Sequence, residues 1–193
     1  MLISELTARV IMETGRPDLE NLIESIAVSS IKQLHSTAKF LRDMVEETIA
    51  VPTPSPIVRL TLPPRFREFK DVAIVDSYGK PIATCEASSP SAFLGQVNKM
   101  PLRPSYYMSG NTYTVMSNRE LLPILYLYVT YFQHPALENA GQSTWLLEQY
   151  PEVVVNYCNF KVHSKVGNDA RSHESWKLYR EGLETILIDQ PAA

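Results

Sequence analysis

Three carboxylates cluster in the segment "RDMVEET", at Asp43, Glu46 and Glu47. Paired carboxylates can share general-acid and general-base work when they converge on one substrate, so this segment permits a hydrolase hypothesis. The surrounding residues predict a β-strand, in which successive side chains point to opposite faces and do not converge. No nucleophile or base is tied to the cluster by spacing. We interpret it as a solvated strand edge whose charges discourage unwanted strand pairing.

The four histidines, His35, His134, His163 and His173, share no metal-ligand spacing. We expect each of them in a solvated or core-edge position. The sequence also lacks the glycine-rich phosphate motifs, the zinc-protease motif and the nucleophile elbow. We therefore predict a protein that is not an enzyme and that needs no cofactor or metal.

The two cysteines, Cys85 and Cys158, are far apart in the chain and form no CxxC motif. Such isolated cysteines are typical of reduced, buried thiols in a cytosolic setting. We expect two free thiols and no disulfide bond.

The composition is that of an ordinary globular protein, with 193 residues, 45% of them apolar and 20% charged. The formal net charge of -3 provides no basic footprint, which excludes tight, sequence-independent binding of nucleic acid. No stretch approaches the roughly 20 uninterrupted apolar residues of a membrane span. The N-terminus also lacks a signal-peptide pattern, so we expect a soluble protein with no membrane partner.

Helical patterns occupy both ends of the chain. Leucine and isoleucine recur at spacings of three and four in the first 35 residues, with Gly15 placed to end the first helix. Near the C-terminus, three valines follow Pro151 and favour a strand, but proline suits the first turn of a helix. We predict a helix that begins at Pro151, followed after Gly167 by a final helix with an apolar stripe around Trp176.

The middle of the chain predicts strands and turns. The segment "VPTPSP" should form an exposed extended loop, because proline cannot sustain a helix or a central strand. The segment "SYYMSGNTYTVM" predicts a hairpin in which Gly110 and Asn111 take the positive φ values of a two-residue turn. The long strand "ILYLYVTYF" is tyrosine-rich or aliphatic on both faces, so it is covered on both sides or covers a neighbouring molecule. The candidate interface residues are Pro52, Pro54, Pro56, Ser109, Gly110 and Asn111.

These elements predict an α+β fold that is mainly an antiparallel four-helix bundle of N- and C-terminal helices, with an inserted antiparallel β domain. The expected boundaries are 1–38 for the N-terminal helical hairpin, 39–135 for the β-rich insertion and 136–193 for the C-terminal helices that complete the bundle.

Several motifs follow one another along the chain: "GRPDLENLIESIAVSSIKQLHSTAKFLRDMVEE", "LTLPPRFREFKDV", "GKPI", "RPSYYMSGNTYTV", "WLLEQYPEVVVNY" and "SWKLYREGLETI". In this order and spacing, the chain resembles the head-to-tail adaptor, or connector, proteins of short-tailed phages. The resemblance extends from Gly15 to Ile186.

The resemblance implies a virion structural protein without an active site or a cofactor. About a dozen copies would form a ring beneath the portal protein, dock the tail nozzle and continue the channel through which genomic DNA passes without tight binding. The bundle ends near Gly15 and Gly167 would be candidates for the portal side. An alternative from the residues themselves is a carbohydrate- or nucleic-acid-binding module that uses Tyr106 and Tyr107 of the hairpin.

Overall fold

The computed structural model describes residues 1–37, 39–97, 103–118, 123–137 and 141–190. Its helices are α1 (Ile3–Thr14), α2 (Glu20–Thr37), α3 (Pro90–Val97), α4 (Trp145–Gln149), α5 (Pro151–Lys165) and α6 (Asp169–Asp189). Its strands are β1 (Met44–Ser55), β2 (Ile57–Thr61), β3 (Phe66–Val75), β4 (Pro81–Thr84), β5 (Glu86–Ala87), β6 (Ser105–Ser109), β7 (Thr112–Met116) and β8 (Ile124–Gln133). Among these described residues, no helix is both long enough and apolar enough to cross a membrane.

The chain divides into two compact units. The helical unit comprises Met1–Asp43 and His134–Ala193, and the β unit comprises Met44–Gln133. Each unit has its own apolar core. Helices and strands are thus largely segregated along the chain, which makes the fold a member of the α+β class.

Helix α5 lies at the centre of the helical unit. It begins at Pro151, as predicted, and its three consecutive valines Val153, Val154 and Val155 are all buried. Consecutive helical residues point about 100° apart, so these side chains face three different directions. Helices α1 and α2 pack against each other and against α5, and α6 packs mainly against α5. A helix with buried side chains in several directions needs neighbours on several sides, and α1, α2 and α6 provide them for α5.

The prediction of a mainly four-helix bundle is wrong. The strands of the β unit form two sheets of four strands each, and these sheets make up an extensive second unit with its own core. The four long helices α1, α2, α5 and α6 do exist, but α5 is enclosed by the others. The prediction failed because it treated the β region as an insertion into a bundle, whereas the two sheets bury an apolar core of their own.

Two sheets build the β unit, with strand orders β1-β8-β3-β4 and β2-β7-β6-β5. All pairs are antiparallel except β5 with β6. The chain passes from an edge of the first sheet to an edge of the second sheet twice, through Pro56 after β1 and through Cys85 after β4. The largest fully buried side chains of this unit include Phe93, Tyr113, Ile124, Leu127 and Phe132.

The proline-rich segment forms the end of edge strand β1, not a loop. Pairing with β8 runs to Ala50 opposite Tyr126 and resumes only at Ser55 opposite Ile124, so a bulge contains the intervening residues. Pro52 and Pro54 lie in this bulge and are exposed. Proline is accommodated there because an edge strand need not donate all its N–H groups to a ladder. The predicted extended conformation is therefore confirmed, the predicted exposure holds for 52–54 but not for the buried Val51, and the loop assignment is corrected.

The hairpin of β6 and β7 forms as predicted, with Ser109 paired to Thr112. Gly110 has a φ of 58°, but Asn111 does not have a positive φ. A two-residue turn with a positive φ only at its first central residue is a type II′ turn, which favours glycine at that position. The expectation of positive φ values at both residues is wrong for Asn111.

A strained residue, Arg65, lies in the turn between β2 and β3. It has a φ of 57°, and the N–H of Phe66 donates a hydrogen bond of 3.3 Å to the carbonyl of Pro63. A left-handed conformation costs an L-residue about 1–2 kcal/mol, whereas glycine adopts it freely.

We expect the Arg65→Gly variant to be more stable than the Arg65→Ala variant by about 1 kcal/mol. Both substitutions remove the guanidinium hydrogen bond to Gln133, so their difference isolates the backbone strain. Urea denaturation of the two variants measures this difference. Equal stabilities would show that the turn carries no such strain.

Candidate protein-docking site

The acidic cluster does not form a site, because its members lie in different environments. Asp43 is 5% exposed and ends the helical unit, contrary to the predicted solvated edge. Its Oδ1 accepts a hydrogen bond of 2.8 Å from Nε1 of Trp145, and its Oδ2 lies 2.8 Å from Nδ1 of His35. An ionised carboxylate only accepts hydrogen bonds, so Nδ1 of His35 carries a proton and donates it. Asp43 therefore serves the packing of the helical unit.

The other two carboxylates, Glu46 and Glu47, lie near the start of β1 and point to opposite faces of the sheet, as predicted for a strand. Glu46 accepts a hydrogen bond from the Tyr128 hydroxyl, which is the main cause of the raised pKa of that tyrosine. The three carboxylates thus do not converge, and the geometry gives the hydrolase hypothesis no support.

The histidines and cysteines also remain apart. Within the residues that the structure describes, no group of three or more histidine, cysteine and carboxylate side chains is arranged to hold a metal ion. His163 is buried, and burial, together with the charge of Arg171, lowers its pKa. Both Cys85 and Cys158 are buried free thiols, and burial raises the pKa of each to about 12. Such thiols stay protonated and weakly reactive at neutral pH.

The tyrosines of the hairpin pack against other rings. The Tyr106 ring lies 5.5 Å from that of Phe69 in a T-shaped arrangement, and the Tyr107 ring lies 4.5 Å from that of Phe93 in α3. A stacking platform for bases or sugars requires accessible ring faces. The arrangement favours a packing role for these tyrosines over the ligand-binding alternative.

The two predicted interface segments lie at opposite ends of the second sheet. Pro56 precedes Ile57, which pairs with Met116, whereas the turn at Gly110–Asn111 lies beyond the pair Thr61–Thr112. Four residue steps of about 3.4 Å separate these two pairs, so the segments are about 14 Å apart along the strands. Ser109, Gly110 and Asn111 are exposed, and Pro56 is half-buried. The six residues therefore form two separate groups, one at each end of this sheet.

A cavity of about 370 Å³ opens at the proline-segment end of the β unit. The end of β3, the turn that follows it, and the beginnings of β4 and β8 surround it. The lining residues are Ile74, Val75, Asp76, Ser77, Ile82, Ala83, Pro104, Ser117, Asn118, Pro123 and Leu125.

Two large aliphatic side chains line this cavity and remain accessible to solvent. Ile82 is 59% exposed and Leu125 is 49% exposed. Exposed aliphatic groups that gather at a concave site are typical of protein-docking surfaces. Sequence reasoning missed the site, and the only available signal was the apolar character of both faces of β8, which includes Leu125.

The polar group of the cavity is held in place by a turn. Oδ1 of Asp76 accepts hydrogen bonds of 2.9 Å from the backbone N–H groups of Tyr78 and Lys80. This arrangement, in which an aspartate side chain bonds the backbone two residues on, is an Asx-turn. The turn fixes a carboxylate beside the apolar wall, so the site combines an aliphatic surface with one oriented charge.

No protein-family model matches the chain, and no curated protein matches it either.

Proposed function

We propose that this protein is a head-to-tail adaptor of a short-tailed phage. It is a virion structural protein, assembled in the host cytoplasm, that forms a homo-oligomeric ring between the portal protein and the tail nozzle. Genomic DNA passes through the ring without tight binding. The observation that carries the proposal is the order of the adaptor-like motifs along the chain from Gly15 to Ile186.

The motifs extend over both units, which supports the proposal. The first motif contains α2 and runs into β1, "LTLPPRFREFKDV" covers the end of β2 and most of β3, and "WLLEQYPEVVVNY" covers α4 and the start of α5. A resemblance confined to one unit would be consistent with a shared domain alone. The distribution of these motifs favours a similarity of the whole chain.

The exposed apolar side chains also support a role in assembly. Met12 near the end of α1 is 82% exposed, and Ile82 and Leu125 are exposed in the β unit. An adaptor acts through surfaces that neighbouring proteins cover, and exposed large hydrophobic residues are the usual components of such surfaces.

The test is assembly with a portal ring. We expect the purified chain to add to a portal ring from a short-tailed phage in a copy number that matches the symmetry of that ring. Native mass spectrometry of the chain alone, the portal alone and the mixture measures the added mass. A chain that stays monomeric and ignores the portal at high concentration would contradict the proposal.

Two matched variants identify the docking side. Met12→Lys adds one positive charge near Gly15, and Asn111→Lys adds the same charge at the exposed turn of the β unit. If the Gly15 end contacts the portal, Met12→Lys weakens portal binding by about tenfold or more, because an unpaired charge is desolvated there. Asn111→Lys should bind the portal as the unmodified chain does. The opposite pattern would assign the portal contact to the β unit.

A further inference from the structure

The cavity at the proline-segment end of the β unit has walls that suit an aliphatic group. Ile74, Val75, Ile82 and Leu125 all line it, and the volume of about 370 Å³ lies near the lower end of the range for ligand sites. A space of this size accepts one or two side chains and excludes a folded element. An occupant that inserts an aliphatic side chain buries the exposed parts of Ile82 and Leu125.

The described residues of the site contribute one negative charge. Asp76 is the one charged residue among those that line the cavity in the described part of the chain. Its Oδ1 accepts two backbone N–H groups, and an ionised carboxylate has about four acceptor positions, so it retains capacity for a further donor. The nearby Arg103, adjacent to Pro104 of the lining, is paired with Glu86 at 2.7 Å. The site therefore complements a cation that lies beside an aliphatic group.

We propose that this cavity binds an extended segment of a partner protein that carries an aliphatic side chain next to an arginine or a lysine. The aliphatic side chain occupies the space between Ile82 and Leu125, and the cation pairs with Asp76. All the described lining of this site comes from the β unit of a single chain. A test with the isolated chain and a peptide therefore succeeds or fails independently of ring formation.

The experiment uses two capped dipeptides, N-acetyl-leucyl-arginine amide and N-acetyl-leucyl-glutamate amide. Each is titrated into the full-length, isotope-labelled chain, and amide chemical shifts report the position and affinity of binding. We expect the arginine peptide to shift residues around Asp76, Ile82 and Leu125. Its affinity should exceed that of the glutamate peptide about fivefold, as expected for one partly exposed ion pair.

Three variants separate the contribution of the Asp76 charge to peptide affinity from the contribution of the apolar contacts. Asp76→Asn keeps the Oδ1 acceptor for the N–H groups of Tyr78 and Lys80 but removes the charge, so it should abolish the preference between the peptides. Leu125→Ser should weaken both peptides. The control is Leu94→Ser on α3, a side chain that is 63% exposed and does not line the cavity, which should change neither affinity.

Three results would overturn the proposal. The first is equal binding of the two peptides by the unmodified chain, and the second is shifts that lie away from the cavity. The third is the lack of any saturable binding by the arginine peptide.

Discussion

Replacement of Asp43 by alanine is expected to lower the free energy of unfolding of the helical unit by about 2–4 kcal/mol, because two hydrogen-bond donors lose their carboxylate acceptor. The substitution removes the acceptor of the Trp145 indole N–H and of the protonated Nδ1 of His35. Both donors belong to side chains that the helical unit packs around the carboxylate, and the loss of an acceptor carries a desolvation penalty for each.

Urea denaturation followed by tryptophan fluorescence measures this effect. Both tryptophans, Trp145 and Trp176, belong to the helical unit, so the signal reports on that unit. Asp43→Asn keeps an oxygen that can accept from Trp145 and should show an intermediate loss. The exposed carboxylate of Asp18, paired with Arg16, provides the control, and Asp18→Ala should cause no measurable change. A loss below about 1 kcal/mol for Asp43→Ala would contradict the role assigned to this carboxylate.

Gly182→Ala is expected to destabilise the helical unit by about 1–2 kcal/mol, although alanine is the better helix former by about 1 kcal/mol. A Cβ atom at position 182 on α6 would lie 2.5 Å from Cγ2 of Val153 on α5. Valine has a stiff, β-branched side chain, and Val153 is buried. It therefore has little freedom to move away, and the two helices must separate.

A double mutant tests whether the contact with Val153 causes this loss of stability. Val153→Ala alone creates a cavity in the core. In the Gly182→Ala background, the methyl group added at position 182 fills part of that cavity. The two changes should therefore be less damaging together than their separate effects predict, with a coupling of about 1 kcal/mol. The control is Gly95→Ala in α3, where a Cβ atom meets nothing within 4 Å and the gain in helix propensity should raise stability. Stabilisation by Gly182→Ala as well would contradict close packing at this position.

Local sequence signals predicted the ends of helices and the turns well, because each such signal depends only on residues that are neighbours in the sequence. The start of α5 at Pro151 and the hairpin around Gly110 follow from the φ restrictions of proline and the conformational freedom of glycine. Ser89 accepts a hydrogen bond from the N–H of Ala92, and Pro90 follows it as the first residue of α3, which are local features of a helix start. These features need no knowledge of distant parts of the chain.

The environment of Asp43 was not predictable in this way, because one of its donors lies far away in the sequence. Trp145 is 102 residues further along the chain, and nothing near Asp43 indicates that contact. The same limit applies to the cavity, whose lining comes from Ile74–Ser77, Ile82–Ala83, Pro104, Ser117–Asn118, Pro123 and Leu125. Concave sites that form where several strands end are properties of the tertiary fold, and periodicity along one segment does not encode them.

The burial of α5 on several sides could not be predicted for a related reason. Periodicity shows that a helix has an apolar face, but the number of neighbours that cover it depends on where the other helices pack. The valines at 153–155 carried the relevant signal, since three consecutive buried positions in a helix require cover on several sides.

The first and last strands of the β unit are partners in one sheet. Met44 pairs with Phe132, so the residues through which the chain enters and leaves this unit are one interstrand distance apart, about 5 Å. A unit with adjacent ends can be acquired, lost or exchanged as a cassette in a single genetic event, because a short linker spans the same gap. The architecture therefore allows the helical unit and the β unit to evolve at different rates, each under the constraints of its own partners.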